Sequence, residues 1–208
     1  MSRPPGKIAD VPPYFQPDVL LPFDDAAIAA DVVASTQRWL EAAVIGLNLC
    51  PFAKAVHVKR QIRYAVTAAT DAEGLLAELR RELERLGRAD PEVLETTLLV
   101  HPRVLTGFID YRFFLPKADA LVRKLGLEGE LQVASFHPDY EFADSAPDDV
   151  ANCTNRSPHP MLHLLRERSI ERAVAAFPDA SRIYERNIET LRALGHAGWR
   201  RLLEADAD

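Results

Sequence analysis

The middle of the chain alternates between short stretches typical of strands and longer stretches typical of helices, and this order constrains the fold most. Residues 62–66 alternate in the manner of a strand, 96–101 is typical of a buried strand, and 131–137 predicts a third strand. Leucines three or four residues apart predict a helix over 71–86, and a second helix is expected over 110–125. Strands joined by helices of this length favour parallel pairing. The sequence therefore predicts an α/β fold with a small, mainly parallel β-α-β-α-β sheet.

Helical segments flank this unit. Apolar residues at helical spacing between Asp24 and Pro51 predict an N-terminal helix. Ser157-Pro158 is a typical helix start, which predicts a long helix reaching Phe177, and a further helix should end at Gly195 to complete a helical C-terminal layer. The expected organisation is a proline-rich extended arm at 1–23, a single α/β domain at 24–195, and a short C-terminal helix and tail at 196–208.

Composition and charge narrow the classes of partner. The net charge of −6 argues against a chain-wide surface for nucleic acid. The chain has 9 glycines and lacks the glycine-rich motifs that hold phosphates. Its apolar runs are shorter than the roughly 18 residues that a membrane-spanning helix needs. We therefore expect neither nucleic acid nor a membrane as a partner.

Two cysteines, Cys50 and Cys153, are too few for a disulfide framework in a chain of this length. The first 23 residues lack a continuous apolar segment and carry six of the 15 prolines, which argues against a secretory signal. We therefore expect a cytoplasmic protein with free thiols. Cys50 is a candidate nucleophile or ligand if Pro51 begins a new helical turn, because a helix N-terminus favours the thiolate. The alternative is a buried, inert cysteine.

Two of the predicted strands end in the same dipeptide, His101-Pro102 and His137-Pro138. If these strands are parallel, both imidazoles lie at the carboxyl edge of the sheet, where open α/β sheets bind ligands. Histidines there can move protons or hold a metal ion. The alternative is that proline merely ends each strand and histidine fills a polar rim. We predict that His101 and His137 are catalytic and lie close enough to share a ligand, a water molecule or a metal ion.

A basic residue, Arg156, directly precedes the helix that is predicted to start at Ser157. A cation beside the free N–H groups of a helix N-terminus is a suitable seat for a carboxylate or phosphate. We therefore expect Arg156, Ser157 and Asn155 to bind a small anionic substrate. A plain helix cap at Ser157 and a turn-shaping Asn155 are the alternatives.

His159 and His163 are four residues apart, so they would share one face of that predicted helix. Such pairs can bind metal ions, although the metalloprotease motif HExxH is absent because residue 160 is proline. His159 would fall in the first helical turn, which makes His163 the better candidate. We expect His163 to bind substrate or to join His101 and His137 as a ligand of a transition metal.

Four segments resemble a known family: LNLCPFAKAV at 47–56, LLVHP at 98–102, QVASFHPDYEFADSAPDDV at 132–150 and TNRSPHPMLHLLRE at 154–167. The resemblance is to a bacterial family catalogued as domain of unknown function 1415, and it extends from about residue 30 to 195. It implies a protein that usually stands alone, and it implies no activity.

These features together favour an enzyme that acts on a small anionic molecule at the carboxyl edge of the sheet. His101 and His137 would supply acid/base or ligand groups, and Arg156 would hold the anion. The alternative is a non-catalytic module that binds a ligand or metal through the same residues. The sequence leaves the substrate, the reaction and the oligomeric state open.

Overall fold

A computed structural model describes residues 18–19, 26–175 and 182–204. Within these ranges the chain forms one five-stranded sheet with helices on both faces. The strands and α-helices follow in the order β1 (Asp18–Val19), α1 (Ala26–Trp39), α2 (Ala53–Val58), β2 (Ile62–Val66), α3 (Ala72–Arg88), β3 (Thr96–Val100), α4 (Phe108–Lys124), β4 (Leu131–Phe136), β5 (Met161–Arg166), α5 (Glu167–Ala175) and α6 (Ile183–Glu204). A π-helical turn, Leu40–Ile45, continues α1, and a 3-10 helix, Val150–Thr154, precedes β5.

The β-α-β-α-β unit that the sequence predicts is present as β2, α3, β3, α4 and β4. Helix α3 begins where the Asp71 carboxylate accepts a hydrogen bond of 2.8 Å from the N–H of Gly74. Its regularly spaced leucines are fully buried against the sheet, which explains why the sequence pattern located this helix. The leucines are Leu75, Leu79, Leu83 and Leu86.

The strand order is β1-β2-β3-β5-β4. Strands β1, β2 and β3 pair in parallel, whereas β5 is antiparallel to both β3 and β4. The α/β fold class is confirmed, but the prediction of a mainly parallel sheet was wrong, because β2–β3 is the single parallel pair among the four long strands described. Because β5 is antiparallel to both β3 and β4, β4 runs in the same direction as β3. Strands β2, β3 and β4 therefore end at the same edge of the sheet.

The long helix predicted from Ser157 is not formed. Residues 161–166 are strand β5, and helix α5 begins only at Glu167. The strand lies between β3 and β4, so its side chains are covered on both faces. The apolar residues at 161, 162, 164 and 165 lack the strict alternation that distinguishes a strand from a buried helix, and this explains the error. The predicted end of the helix at Phe177 lies outside the described residues.

Two apolar cores lie on opposite faces of the sheet. Helices α1 and α6 cover one face, which we call the α1/α6 face, and α3 and α4 cover the other, the α3/α4 face. Gly195, with a φ of 65°, interrupts α6 where the sequence predicts a helix end, and Trp199 beyond it is buried in the first core. No helix in the described ranges is long and apolar enough to cross a membrane. Apart from β1, the predicted arm lies outside these ranges, as does 205–208 of the predicted tail.

Candidate functional site

His101 directly follows β3, and its side chain is fully buried. Its backbone N–H donates to the carbonyl oxygen of Pro160, at 3.0 Å. Its Nδ1 lies 2.8 Å from the carbonyl oxygen of Val104. Since a carbonyl only accepts, Nδ1 carries the proton and Nε2 is left as an acceptor. Nε2 has no hydrogen-bonding partner among the described residues, and an unsatisfied buried acceptor costs about 1–3 kcal/mol.

His137 occupies the equivalent position after β4 and is also fully buried. Its Nε2–H donates to the carbonyl oxygen of Leu105 at 3.3 Å, and its Nδ1 accepts the backbone N–H of Asp139 at 3.0 Å. Both ring nitrogens are therefore occupied, in the opposite tautomer to that of His101. His137 is held as a neutral, fully hydrogen-bonded group.

Tyr111, from the first turn of α4, connects the two imidazoles. Its ring centroid lies 5.7 Å from that of His101 and 5.2 Å from that of His137. Its hydroxyl donates to the carbonyl oxygen of Met161 at 2.8 Å and accepts the N–H of Phe136 at 3.1 Å, which joins α4 to β5 and β4. Burial raises the pKa of Tyr111, so the hydroxyl stays neutral. The sequence did not predict Tyr111 as a site residue, because nothing in its helical spacing distinguishes it from an ordinary core aromatic.

Burial also controls the charge of the histidines. It lowers the pKa of His101 to about 4, with a smaller contribution from nearby His137, while the hydrogen bond to Val104 opposes the shift. Burial likewise lowers the pKa of His137, and the bond to Leu105 opposes it. A lowered histidine pKa means that the neutral ring is the stable form at pH 7. His101 and His137 thus lie at the same sheet edge as neutral groups, and a shared ligand stays a prediction.

The loop between β3 and α4, residues 101–107, is held by both imidazoles. They donate to carbonyl oxygens of neighbouring residues, Val104 and Leu105. Leu105 has a φ of 54°, in the left-handed region that costs a residue with a side chain about 1–2 kcal/mol. The two histidines therefore stabilise a loop conformation that is intrinsically strained.

Aromatic rings extend from the histidines towards the surface. The Phe108 ring lies 5.4 Å from that of His137 and 5.2 Å from that of Tyr140. The rings of Tyr140 and Phe142 are 5.1 Å apart, and Phe142 lies 6.1 Å from Tyr184, which is exposed. The half-buried rings of Phe108 and Tyr140 therefore lie between His137 and solvent-exposed parts of the molecule.

Arg156 holds the segment that follows β4. Its Nε donates to the carbonyl oxygen of Tyr140 at 3.2 Å, and its Nη2 donates to that of Pro147 at 2.8 Å. Buried Asn152 fixes the same segment, because its Oδ1 accepts the N–H of Phe142 at 3.1 Å and the hydroxyl of Ser145 at 2.6 Å. The two side chains hold the segment that carries Tyr140, whose backbone N–H donates to the carbonyl oxygen of His137 at 3.1 Å.

The helix N-terminus that was expected to seat an anion is absent, because residues 157–160 are not helical. The Ser157 hydroxyl instead donates to the carbonyl oxygen of His159 at 2.7 Å. The side-chain amide of Asn155 donates to the carbonyl oxygen of Ser135 at 3.0 Å, which ties this segment to β4. Substrate binding by Arg156, Asn155 and Ser157 stays a prediction, without the support of a helix dipole.

His163 lies on the other face of the sheet. Side chains alternate along β5, so His163 faces the α1/α6 core with Met161, while Leu162 and Leu164 face α3 and α4. The Thr96 hydroxyl donates to the Leu164 carbonyl at 2.6 Å, so it accepts from Nε2 of His163 at 2.8 Å. Burial lowers the pKa of His163 to about 4. His163 therefore cannot complete a metal site with His101 and His137.

His159 does not share a helix face with His163, because both lie in or beside a strand. The Ser35 hydroxyl donates to the Val32 carbonyl at 3.0 Å, so Nε2 of His159, at 2.9 Å, donates to it. The predicted histidine pair was therefore wrong. Across the described ranges, no group of three or more His, Cys, Asp and Glu side chains is arranged to hold a metal ion.

Cys50 is half-buried and packs against the α1/α6 core, on the opposite face of the sheet from Tyr111. Burial raises its thiol pKa, while hydrogen bonds from the backbones of Phe52 and Ala53 oppose the shift. A raised pKa favours the unreactive thiol at pH 7. A catalytic Cys50 stays a prediction, but the residue does not share a cleft with His101.

Comparison with known proteins gives a family and no activity. No curated protein and no solved structure matches the chain significantly. One family matches over residues 31–201, under the description "Protein of unknown function (DUF1415)". This match includes both His-Pro dipeptides, Tyr111 and Arg156, as well as every long strand of the sheet. The chain belongs to the DUF1415 family of proteins of unknown function.

Proposed function

We propose that the protein is an enzyme that acts on a small anionic molecule at the carboxyl edge of the sheet. Its base would be Nε2 of His101, which takes a proton from the substrate. The observation that carries this proposal is that Nε2 is buried without a partner while Nδ1 is fixed by Val104. A free acceptor on an immobilised ring is what a general base requires before substrate binds.

The charge of the substrate follows from the basicity of His101. With a pKa of about 4, the free imidazole is a weak base. A negative charge within about 4–6 Å stabilises the imidazolium and raises this pKa. An anionic substrate would therefore activate its own base. Arg156 uses two of its five N–H donors on carbonyl oxygens and also contacts the thiol of Cys153, and its remaining donors are proposed to contact the anion.

His137 and Tyr111 act as positioning residues in this proposal. Their polar atoms are already hydrogen-bonded, so they orient the loop and the His101 ring instead of exchanging protons. Substrate would reach Nε2 by displacing the half-buried ring of Phe108, whose centroid lies 6.4 Å from that of Tyr111. Cys50 and His163 have no part in the proposed reaction, because they lie on the α1/α6 face of the sheet.

The second candidate is a non-catalytic module that binds a ligand or a transition metal through His101. The low pKa favours this function, because a neutral imidazole accepts hydrogen bonds and ligates metals without losing a proton. Both candidate functions use Nε2 of His101, and only the enzyme would convert its ligand to a product. A bound compound that is recovered unchanged would identify the module.

The proposal is tested by the thermal stability of the protein with a panel of small carboxylates and phosphates at pH 7. The variant is His101→Phe, which keeps a ring beside Tyr111 but removes both nitrogens. The matched control is His196→Phe, at an exposed histidine whose Nε2 contacts the Asp148 carbonyl. We expect at least one anion to raise the melting temperature of the wild type and the control, and not of His101→Phe. NMR of that compound over time then detects turnover.

Two results would contradict the proposal. One is a panel in which no anion stabilises the wild type. The other is equal stabilisation of the wild type and His101→Phe, because binding would then occur without the imidazole.

A further inference from the structure

A groove of about 560 Å³ runs between α3 and α4 on their outer surface, away from the sheet. Its floor is apolar, formed by Leu76 and Ala77 of α3 and by Ala120 and Leu121 of α4. Its rim carries Glu73, Arg80, Lys117 and Lys124. The groove is therefore apolar at the bottom and mainly basic at the edge.

The apolar surface continues along α4 beyond the groove. Phe113 is 76% exposed and Ile109 is 69% exposed, although both are large hydrophobic residues. They lie four and eight residues before Lys117, which places them on the same face of the helix. Contiguous exposed apolar side chains beside an apolar groove are typical of a binding surface.

The rim is positive overall, and its two lysines are uncompensated. Lys117 and Lys124 form no ion pair with a described residue, and Arg80 lies 3.5 Å from a carboxylate oxygen of Glu84. Glu73 is the single acid that lines the groove. This local excess of positive charge contrasts with a chain of net charge −6.

We propose that this groove binds an acidic amphipathic helix of a partner protein. A third helix packs into the groove between two others, with its apolar side chains on Leu76, Leu121 and Phe113. Its carboxylates would face Lys117 and Lys124. Nucleic acid fits less well, because its phosphates would pair with the lysines and leave the apolar floor uncovered. The surface from 109 to 124 is about 22 Å long, which corresponds to a helix of about 15 residues.

This proposal is independent of the enzyme proposal. The groove uses the outer face of α4, whereas Tyr111 and the histidines lie beneath the inner face. Loss of binding in the groove would therefore leave the ligand response of His101 unchanged. The two proposals can fail separately.

The probe is a fluorescein-labelled peptide of about 15 residues with leucines at i, i+4 and i+7 and glutamates beside them. A second peptide has lysine in place of each glutamate. Fluorescence anisotropy measures their binding to the full chain at about 50 mM salt. We expect saturable binding of the acidic peptide, at least tenfold tighter than that of the basic peptide, and weaker binding at about 500 mM salt.

Matched variants locate the site. We expect Lys117→Glu with Lys124→Glu to weaken binding of the acidic peptide at least tenfold, and Phe113→Ser to weaken it severalfold. The controls are Lys54→Glu with Lys59→Glu, which changes the same charge on and beside α2, and Val58→Ser, at a residue that is 71% exposed. Circular dichroism shows that each variant folds. Equal binding of both peptides, no saturable binding, or an equal loss in the controls would overturn the proposal.

Discussion

The segments that follow β3 and β4 begin with the same dipeptide but differ in how their histidines are hydrogen-bonded. Each strand is followed by a His-Pro pair, each histidine is fully buried, and each donates a hydrogen bond to the loop 101–107. His137 gains a second bond because the chain turns back and presents the N–H of Asp139 to its Nδ1. The loop after His101 presents no such donor, so Nε2 is left without a partner among the described residues.

The difference shows that a repeated dipeptide does not have a repeated role. Both ring nitrogens of His137 form hydrogen bonds that stabilise the fold. Nε2 of His101 is an acceptor without a partner among the described residues, which lowers stability. Unsatisfied buried polar atoms are rare in folded proteins, which makes the atom a candidate for chemistry.

The first prediction concerns the pH dependence of stability. His101 titrates near 4 in the folded protein and near 6.5 when unfolded, so the unfolded chain binds more protons between these values. The contribution of His101 is fully present above pH 6.5 and is lost as pH falls towards 4. It amounts to at most roughly 3 kcal/mol. Urea unfolding at several pH values should show a smaller loss for His101→Phe than for the wild type; identical pH profiles would exclude a buried, neutral His101.

The second prediction compares the two histidines directly. His137→Phe removes the partners of both the Leu105 carbonyl and the Asp139 N–H, and should lower the free energy of unfolding by about 2–4 kcal/mol at pH 7. His101→Phe leaves one carbonyl unpaired but also removes the unsatisfied nitrogen, so about 1 kcal/mol is expected. Chemical denaturation measures both. Equal losses would mean that Nε2 of His101 is satisfied in solution.

The third prediction concerns Tyr111, whose ring contacts those of both His101 and His137. Tyr111→Phe leaves the Met161 carbonyl and the Phe136 N–H unpaired in the core and should lower the free energy of unfolding by about 1–3 kcal/mol. Hydrogen exchange at the Phe136 amide should become faster. Tyr184→Phe, at an exposed ring of the same aromatic series, should change stability by less than about 0.5 kcal/mol. Similar effects of the two substitutions would remove Tyr111 from its positioning role.

The smallest effect is expected at the strained loop residue. Leu105→Gly relieves the cost of a φ of 54° but loses part of a side chain, so the net change should be within about 1 kcal/mol. Val104→Gly is the control, because Val104 is buried and has no positive φ. It should cost about 2 kcal/mol or more. A larger loss for Leu105→Gly than for Val104→Gly would show that the loop is not strained.

The sequence predicted the elements whose pattern is periodic. Helix α3 was located because its leucines repeat on one face, and β3 and β4 because His-Pro ends an apolar run in each. Strand β5 was missed because insertion between two strands buries both of its faces and removes the alternation. With β5 assigned as a helix, His159 and His163 were assigned to one helix face and Ser157 to a helix N-terminus.

Other features of the site depend on contacts that no local pattern carries. The tautomers of His101 and His137 are determined by carbonyl oxygens in one loop, and Tyr111 reaches two strands that are distant in sequence. Arg156 was identified from its charge, but its carbonyl partners depend on how the segment after β4 folds back. Residue type and spacing therefore indicated where chemistry could occur, and tertiary hydrogen bonds determine which atoms are free for it.

NMR of the protein with ¹⁵N-labelled histidine directly measures whether Nε2 of His101 is a free and neutral acceptor. At pH 7 we expect that His101 carries its proton on Nδ1, that Nε2 has the chemical shift of an unprotonated nitrogen, and that the ring titrates near pH 4. His137 should show the opposite tautomer. A proton on Nε2 of His101, or a charged His101 ring at pH 7, would show that His101 has no acceptor for a substrate proton.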